Sequence, residues 1–281
     1  MQKSGKIKLP EGKKVAVNIS CDFDAQCVWA DFDMLTPVFL SRGEFGAEVG
    51  APRLLSLFEK YQIKSTWFIP GHTADTFPEI CKKVIAAGHE VGIHNYAHEN
   101  PRLLNYNEEK SVMEKSLKAL ARIGADSPRS YRSPAFDYSE NTLKILEEFG
   151  LLYDSSLMGN DLHPYYPRPV THHIDRANEF GSPSPIIEFP VSWIMDDFPQ
   201  VEYVEGVIEG MRPLSGIYEY WTSVFDYACQ LEGACYVLTL HPQVSGRSYM
   251  IQLLEKLIKY MQERGAWFTS ISEAGAKFIP D

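Results

Sequence analysis

The stretch Val15-Ala16-Val17-Asn18-Ile19-Ser20-Cys21-Asp22-Phe23-Asp24 joins a mostly apolar run to two carboxylates. The run from Val15 to Cys21 reads as a buried strand. No Gly-x-Gly-x-x-Gly or Walker-type phosphate loop follows it, so a nucleotide-binding open sheet is the weaker architecture. Outward from this strand the same rhythm repeats. Residues 51–61 have helical spacing through Leu54, Leu55 and Phe58, and Ser65–Ile69 is strand-like and stopped by Pro70-Gly71. Residues 78–87 predict a helix opened by Pro78 and closed by Gly88, 89–94 a strand, and 107–123 a helix closed by Gly124. A short strand at Tyr131, a helix over 139–149 and strands over 151–155, 186–191 and 235–240 follow. The chain then predicts helices over 248–264 and 271–278 with 267–270 between them. About eight strands interleaved with helices predict an α/β chain folded as one (β/α) barrel, regular or distorted, over residues 1–281.

Two connections, roughly 25–50 and 156–185, are too long for plain turns. Both follow a strand, so both are expected as long loops over the C-terminal face, where barrel enzymes keep their chemistry. Composition narrows the function classes. The 281 residues carry 27 Lys+Arg against 37 Asp+Glu, a net charge of −10, which disfavours nucleic-acid and anionic-membrane partners. Five cysteines, with no C-x-x-C pair, argue against a zinc knot or a disulfide framework. The basic start has no signal-peptide pattern, and the apolar run 234–240 is far short of a membrane span, so a cytoplasmic location is expected.

The sharpest local signal is His94-Asn95-Tyr96-Ala97-His98, directly after a strand. Two imidazoles four apart on a helical turn can ligate one cation. Asp22 and Asp24, at i and i+2, lie on the same side of an extended chain and can divide the work. One binds the cation while the other takes a proton from water. Two histidines and one carboxylate suit Zn²⁺, and Fe, Co, Ni or Mn would also accept them. His72, Arg132, Asp154, Trp193 and His241 stand late in or just after other strands, so their side chains are expected at the same barrel mouth.

These motifs resemble the polysaccharide deacetylases, or family 4 carbohydrate esterases, from about Val15 to about Phe278. The resemblance rests on Cys21-Asp22-Phe23-Asp24, His94-Asn95-Tyr96-Ala97-His98, Arg132-Ser133-Pro134 and Leu238-Thr239-Leu240-His241. It implies a distorted (β/α) barrel and one divalent metal, zinc first, held by Asp24, His94 and His98. It further implies Asp22 as base, Arg132 as the group that orients Asp22, and His241 as acid. The family's usual adjacent Asp-Asp is here split by Phe23. The segments 46–50, 67–72, 98–101 and 156–161 are similar to a cytoplasmic subgroup of peptidoglycan deacetylase-like proteins, cyclic imide hydrolases and relatives of metal-independent allantoinases. That subgroup implies a homotetramer with a partly covered site.

The expected reaction is hydrolysis of a non-peptide carbon–nitrogen bond, first on a small cyclic imide or ring amide. N-deacetylation of amino sugars in peptidoglycan- or chitin-type oligomers is the alternative, and a non-catalytic metal- or carbohydrate-binding relative the third. Four residues are further candidates for substrate contact, each with a plainer reading beside it. Glu48 equally suits the opening of the following helix; His72 is as ordinary in a hydrogen-bonded loop; Trp193 as core packing; Asp161 as a turn residue after Asn160.

Overall fold

The computed structural model describes residues 3–281. Its strands are β1 (Lys3–Ile7), β2 (Val15–Asp22), β3 (Thr66–Ile69), β4 (Glu90–Ile93), β5 (Ser130–Tyr131), β6 (Tyr153–Asp154), β7 (Tyr165–Tyr166) and β8 (Val170–Thr171). They continue with β9 (Glu179–Phe180), β10 (Ile187–Glu188), β11 (Tyr203–Val204), β12 (Ile208–Glu209), β13 (Cys235–Leu240), β14 (Ala266–Phe268) and β15 (Phe278–Pro280). Eleven of them form one curled mixed sheet in the order β13-β2-β3-β4-β5-β6-β10-β7-β1-β15, with β14 beside β2. The strands from β13 through β10, together with β14, run parallel; β7, β1 and β15 pair antiparallel. The result is a distorted (β/α) barrel with helices outside.

β2 is buried at every residue, which is why its sequence is a nearly unbroken apolar run rather than an alternation. Its two interior polar side chains donate to neighbouring segments, and only Asn18 Oδ1 is left without a partner there. Asn18 donates to Thr66 Oγ1 (3.2 Å) and to the Thr269 carbonyl (2.9 Å), and Ser20 donates to the Leu238 carbonyl (3.0 Å). The covering helices bury one stripe each. The helix Ser248–Glu263 packs Met250, Leu253, Leu254, Leu257, Ile258 and Met261 inward at three- and four-residue spacing. The helix Tyr106–Arg122 starts with a reciprocal cap between Asn105 and Glu108. No helix among the described residues is long and apolar enough to cross a membrane.

The structure corrects four expectations. Residues 25–50 are not a loop: they hold the helices Val28–Asp31 and Pro37–Phe45 and a π-helical turn Gly46–Gly50 that runs straight into Ala51–Lys60. Glycines there are demanded by close approach, since a Cβ on Gly50 would stand 2.1 Å from the Pro242 carbonyl oxygen and one on Gly43 2.4 Å from that of Ala25. Residues 156–185 do not cover the C-terminal face. They supply β7 and a β8–β9 hairpin, and the Leu162 carbonyl accepts from the amide of Cys235, at the start of β13 and the far end of the barrel from the mouth. The last predicted helix stops at Gly275, and Phe278–Pro280 becomes a strand on β1, itself unanticipated. Finally, the helix Leu214–Ala228, with Ile217, Trp221, Phe225 and Ala228 buried at helical spacing, adds an element beyond the predicted ones.

Candidate active site

Asp22 ends β2, and the backbone beyond it is fixed at each step. The Phe23 amide donates to the Phe68 carbonyl (2.8 Å), and the Asp24 carbonyl accepts from the Cys27 amide (3.1 Å) and from Thr73 Oγ1 (2.8 Å). Phe23 is fully buried, edge-on to Trp67 with ring centroids 5.6 Å apart, so the residue that splits the two aspartates is a core side chain. Asp22 and Asp24 are thereby both turned into the barrel mouth.

Asp24 is fully buried, yet neither carboxylate oxygen receives a hydrogen bond. Around it stand three imidazole Nε2 atoms: His94 at 3.4 Å from Oδ1, and His98 and His241 at 3.9 Å and 3.6 Å from Oδ2. His94 Nδ1 is held at 2.7 Å by the Arg132 carbonyl, which turns Nε2 inward. Burial, only partly offset by Asp22 and Asp24, pushes the pKa of His94 down, as suits a neutral ligand. The two histidines are not on a helical turn, as the spacing led us to expect. Asn95 and His98 both have positive φ (54° and 64°), and Glu99 Oε2 ties the turn by accepting from the amides of Tyr96 (3.1 Å) and Ala97 (2.8 Å). The donor atoms of Asp24, His94 and His98 all lie within 4.8 Å of one another. A buried carboxylate with no donor facing two imidazoles fits a divalent cation, which removes the cost of the unpaired charge.

Arg132, fully buried, binds Asp22 Oδ1 through Nη1 (2.7 Å) and Ser20 Oγ through the same nitrogen (2.6 Å). Its Nε and Nη2 reach the carbonyl (2.9 Å) and hydroxyl (2.7 Å) of Ser155, and the guanidinium lies 4.3 Å from the Phe68 ring centroid. Burial alone would raise the Asp22 pKa; Arg132, then His94 and His241, outweigh it and hold the carboxyl below its ordinary value.

His241 follows β13. Asp197 fixes it by accepting from Nδ1 (2.7 Å), from the His241 amide (3.0 and 2.9 Å to the two oxygens) and from the Ser245 hydroxyl. Burial would lower the imidazole pKa, but Asp196 and Asp197 reverse that and raise it well above the usual histidine range. Asp196 Oδ1 is 3.6 Å from His241 Nδ1, and burial, despite His241, pushes its carboxyl up to about 7. Asp196, Asp197 and His241 also cluster within 4.8 Å, but both Asp197 oxygens are already occupied by donors. That set is a supported imidazole rather than a cation cradle.

These groups meet in a cavity of about 120 Å³. Asp22, His94, His98, Asp196 and His241 line its floor. Its walls are apolar: Val28 and Phe32 from the segment after β2, Phe136 after β5, and Trp193, Phe198 and Ile208 from the segment after β10. Trp193, 47% exposed, packs on Phe136 with centroids 4.8 Å apart.

The structure thus brings together Asp22, Asp24, His94, His98, Arg132, His241 and Trp193 and leaves out the other candidates. Glu48 is exposed on the π-helical turn and does not line the cavity. His72 sits in the first turn of the helix Gly71–Thr76, against Thr76 and Tyr96. Asp161 is exposed in the turn capped by Asn160, one residue from the Leu162 that pairs with the start of β13. Asp154 points away from the mouth, because its neighbour Ser155 takes the inward position beside Arg132; it meets Tyr138 and Ser156 instead. Asp196 and Asp197 escaped the sequence reading. The signal was present: an adjacent acidic pair just past a strand, the same place in the βα unit as the other mouth residues.

Comparison with known proteins agrees with this arrangement. The family described as Polysaccharide deacetylase matches residues 22–153. The Peptidoglycan deacetylase of Helicobacter pylori is 32% identical over 284 aligned positions, covering 95% of this chain and 97% of that protein. A Mycobacterium smegmatis crystal structure, provisionally described as a polysaccharide deacetylase, superposes with a TM-score of 0.84 at 30% identity, over 97% of this chain and 93% of that one. The Puue allantoinase shares the fold, with a TM-score of 0.77 at 20% identity, over 96% and 91% of the two chains. The chain therefore belongs to the polysaccharide deacetylase family, hydrolases of non-peptide carbon–nitrogen bonds.

Proposed function

We propose that this protein hydrolyses a small cyclic imide or related ring amide, with zinc held by Asp24, His94 and His98. The supporting observation is the cavity. At about 120 Å³ it is small beside the ~300–1,000 Å³ of sites for drug-sized ligands, and aromatic side chains wall it on two sides. A compact, flat ring suits such walls, whereas a polymer chain needs an open groove.

A cation bound there supplies Lewis-acid activation of water and of the scissile carbonyl. Asp22 removes the proton from the attacking water. Its Oδ1 is committed to Arg132, which fixes the rotamer and keeps the carboxyl ionised. His241, kept cationic by Asp197 and Asp196, gives a proton from Nε2 to the departing nitrogen. The aromatic walls exclude bulk water and orient the ring.

A second reading, N-deacetylation of an amino sugar, is favoured by the 32% identity to a relative named Peptidoglycan deacetylase. The two separate in one assay. The purified protein, its metal content measured, is offered succinimide, hydantoin and dihydropyrimidine rings beside N-acetylglucosamine oligomers, with and without chelator. Ring opening that chelator abolishes is the expected result; acetate release with inert rings overturns the first reading. The proposal includes a cytoplasmic homotetramer, checked by sedimentation of the purified protein and by fractionation.

A further inference from the structure

Asp196 stands at the floor of the cavity, and beyond its charge on His241 no contact with the substrate is assigned to it above. It is 3% exposed and lies at the end of the segment that brings Trp193 to the rim. Part of its role is local: Oδ1 accepts from the Phe198 amide at 2.8 Å and so caps the short helix Asp197–Val201. A cap uses one oxygen. Among the described residues no hydrogen-bond donor is seen on Oδ2, and the carboxyl borders the cavity. The neighbouring walls, Val28, Phe32 and Phe198, are hydrocarbon and offer it nothing. Asp22, on the same floor, is a second carboxylate and repels it. Whatever fills the cavity must satisfy that oxygen, and an occupant that excludes water from an apolar-walled site does so best by bringing an N–H to it.

We propose that Asp196 is a specificity-determining residue that accepts a hydrogen bond from the substrate N–H beside the scissile carbonyl. Resting on the ring-amide reading, this narrows the substrate class to rings whose amide nitrogen carries hydrogen. N-alkylated rings lose the bond and present a methyl group to a buried carboxylate. Asp196 thus acts in binding as well as through its charge on His241, whereas Asp197 acts on His241 alone.

The test uses the metal-loaded protein with succinimide and N-methylsuccinimide, in wild type, Asp196→Asn and Asp196→Ser. Asn and Ser both preserve an N-cap acceptor, so the helix survives, while neither offers a second acceptor oxygen. The wild type should prefer succinimide by about tenfold or more in kcat/KM, and both variants should bring the two substrates to within about twofold. Any loss of kcat through His241 should be common to both substrates, while the loss in KM should fall on succinimide alone. An equal loss on both substrates, or one confined to kcat, overturns the inference and makes Asp196 a support for His241. If both rings are inert, the ring reading fails separately. The same variants, assayed on an N-acetyl amide against the matching O-acetyl ester, then test Asp196 alone, and a preference for the amide that Asp196→Asn leaves intact overturns its role.

Discussion

Asp24 and Asp197 are two fully buried carboxylates that face His241 from opposite edges of its ring. Asp197 accepts from an imidazole, a hydroxyl and a backbone amide that reaches both its oxygens. Asp24 accepts nothing. The chain could have supplied donors to Asp24 as it does to Asp197; instead it surrounds it with imidazole nitrogens. The same side chain is thus built for two tasks: a saturated carboxylate positions and charges a histidine, and an unsaturated one waits for a cation. A list of acidic residues near the mouth does not separate them; the count of donors does.

Substitutions at the two ends of the cavity test that distinction. The largest effect is expected at Asp24. Asp24→Ala should remove the bound metal and reduce turnover to background, read by elemental analysis beside the assay; full metal occupancy in the variant would refute the assignment. Asp22→Asn should keep the metal and lose about 10²–10⁴-fold in kcat, because only the proton acceptor is removed. At the other end, Asp197→Ala should also keep the metal and cost about 10²-fold, more for poor leaving groups than for activated ones. Equal losses on both kinds of leaving group would argue against proton donation by His241.

Stability should separate the two carboxylates by sign. In chelator-treated protein, Asp24→Asn should raise the melting temperature, since it neutralises a buried charge that no donor balances, whereas Asp197→Asn should lower it by stranding donors. A fall in both variants would erase the contrast.

The smallest effect lies behind the wall, at Glu188. Burial, with Asp154 beside it, raises its pKa well above the ordinary 4.5, and Oε2 has no partner while Oε1 accepts from the amides of Ser156 and Leu157 (2.9 Å each). The folded chain therefore binds this proton more tightly than the unfolded one. Its contribution is complete below pH 4.5 and is lost as pH rises through the higher folded value. Glu188→Gln keeps the acceptor, so it should be close to neutral at pH 5 and stabilising by on the order of 1 kcal/mol at pH 9, measured by denaturant melts. A difference that does not change with pH would show that Glu188 is ionised in the fold.

Much of this was legible in the sequence, for identifiable reasons. The parallel strands announce themselves because burial on both faces forces apolar runs, as in β2 and β13. The mouth residues were legible because βα topology puts strand ends on one face, so Asp22, His94, Arg132 and His241 could be grouped without knowing a distance. What failed was what depends on approach between distant segments. The glycines at 43, 46 and 50 resemble loop punctuation, yet they serve helices packed against residues 25, 243 and 242 respectively. Asp161 follows a strand as the others do, but its connection turns back toward the barrel's other end to add β7. Two-residue strands such as β7 carry no periodicity to read.

The pairing of β1 with β15 joins Gly5 to Pro280 and Lys6 to Ile279, and the Asp281 amide donates to the Ser4 carbonyl at 3.0 Å. Among the described residues no other register in the sheet joins positions so far apart, so this pairing closes the longest loop and carries the largest closure entropy. The edge formed by β1 and β15 should therefore be the last part of the sheet to gain protection in pulsed hydrogen exchange. A circular permutant that links these two strands directly should close it early, turning the slowest contact into a hairpin.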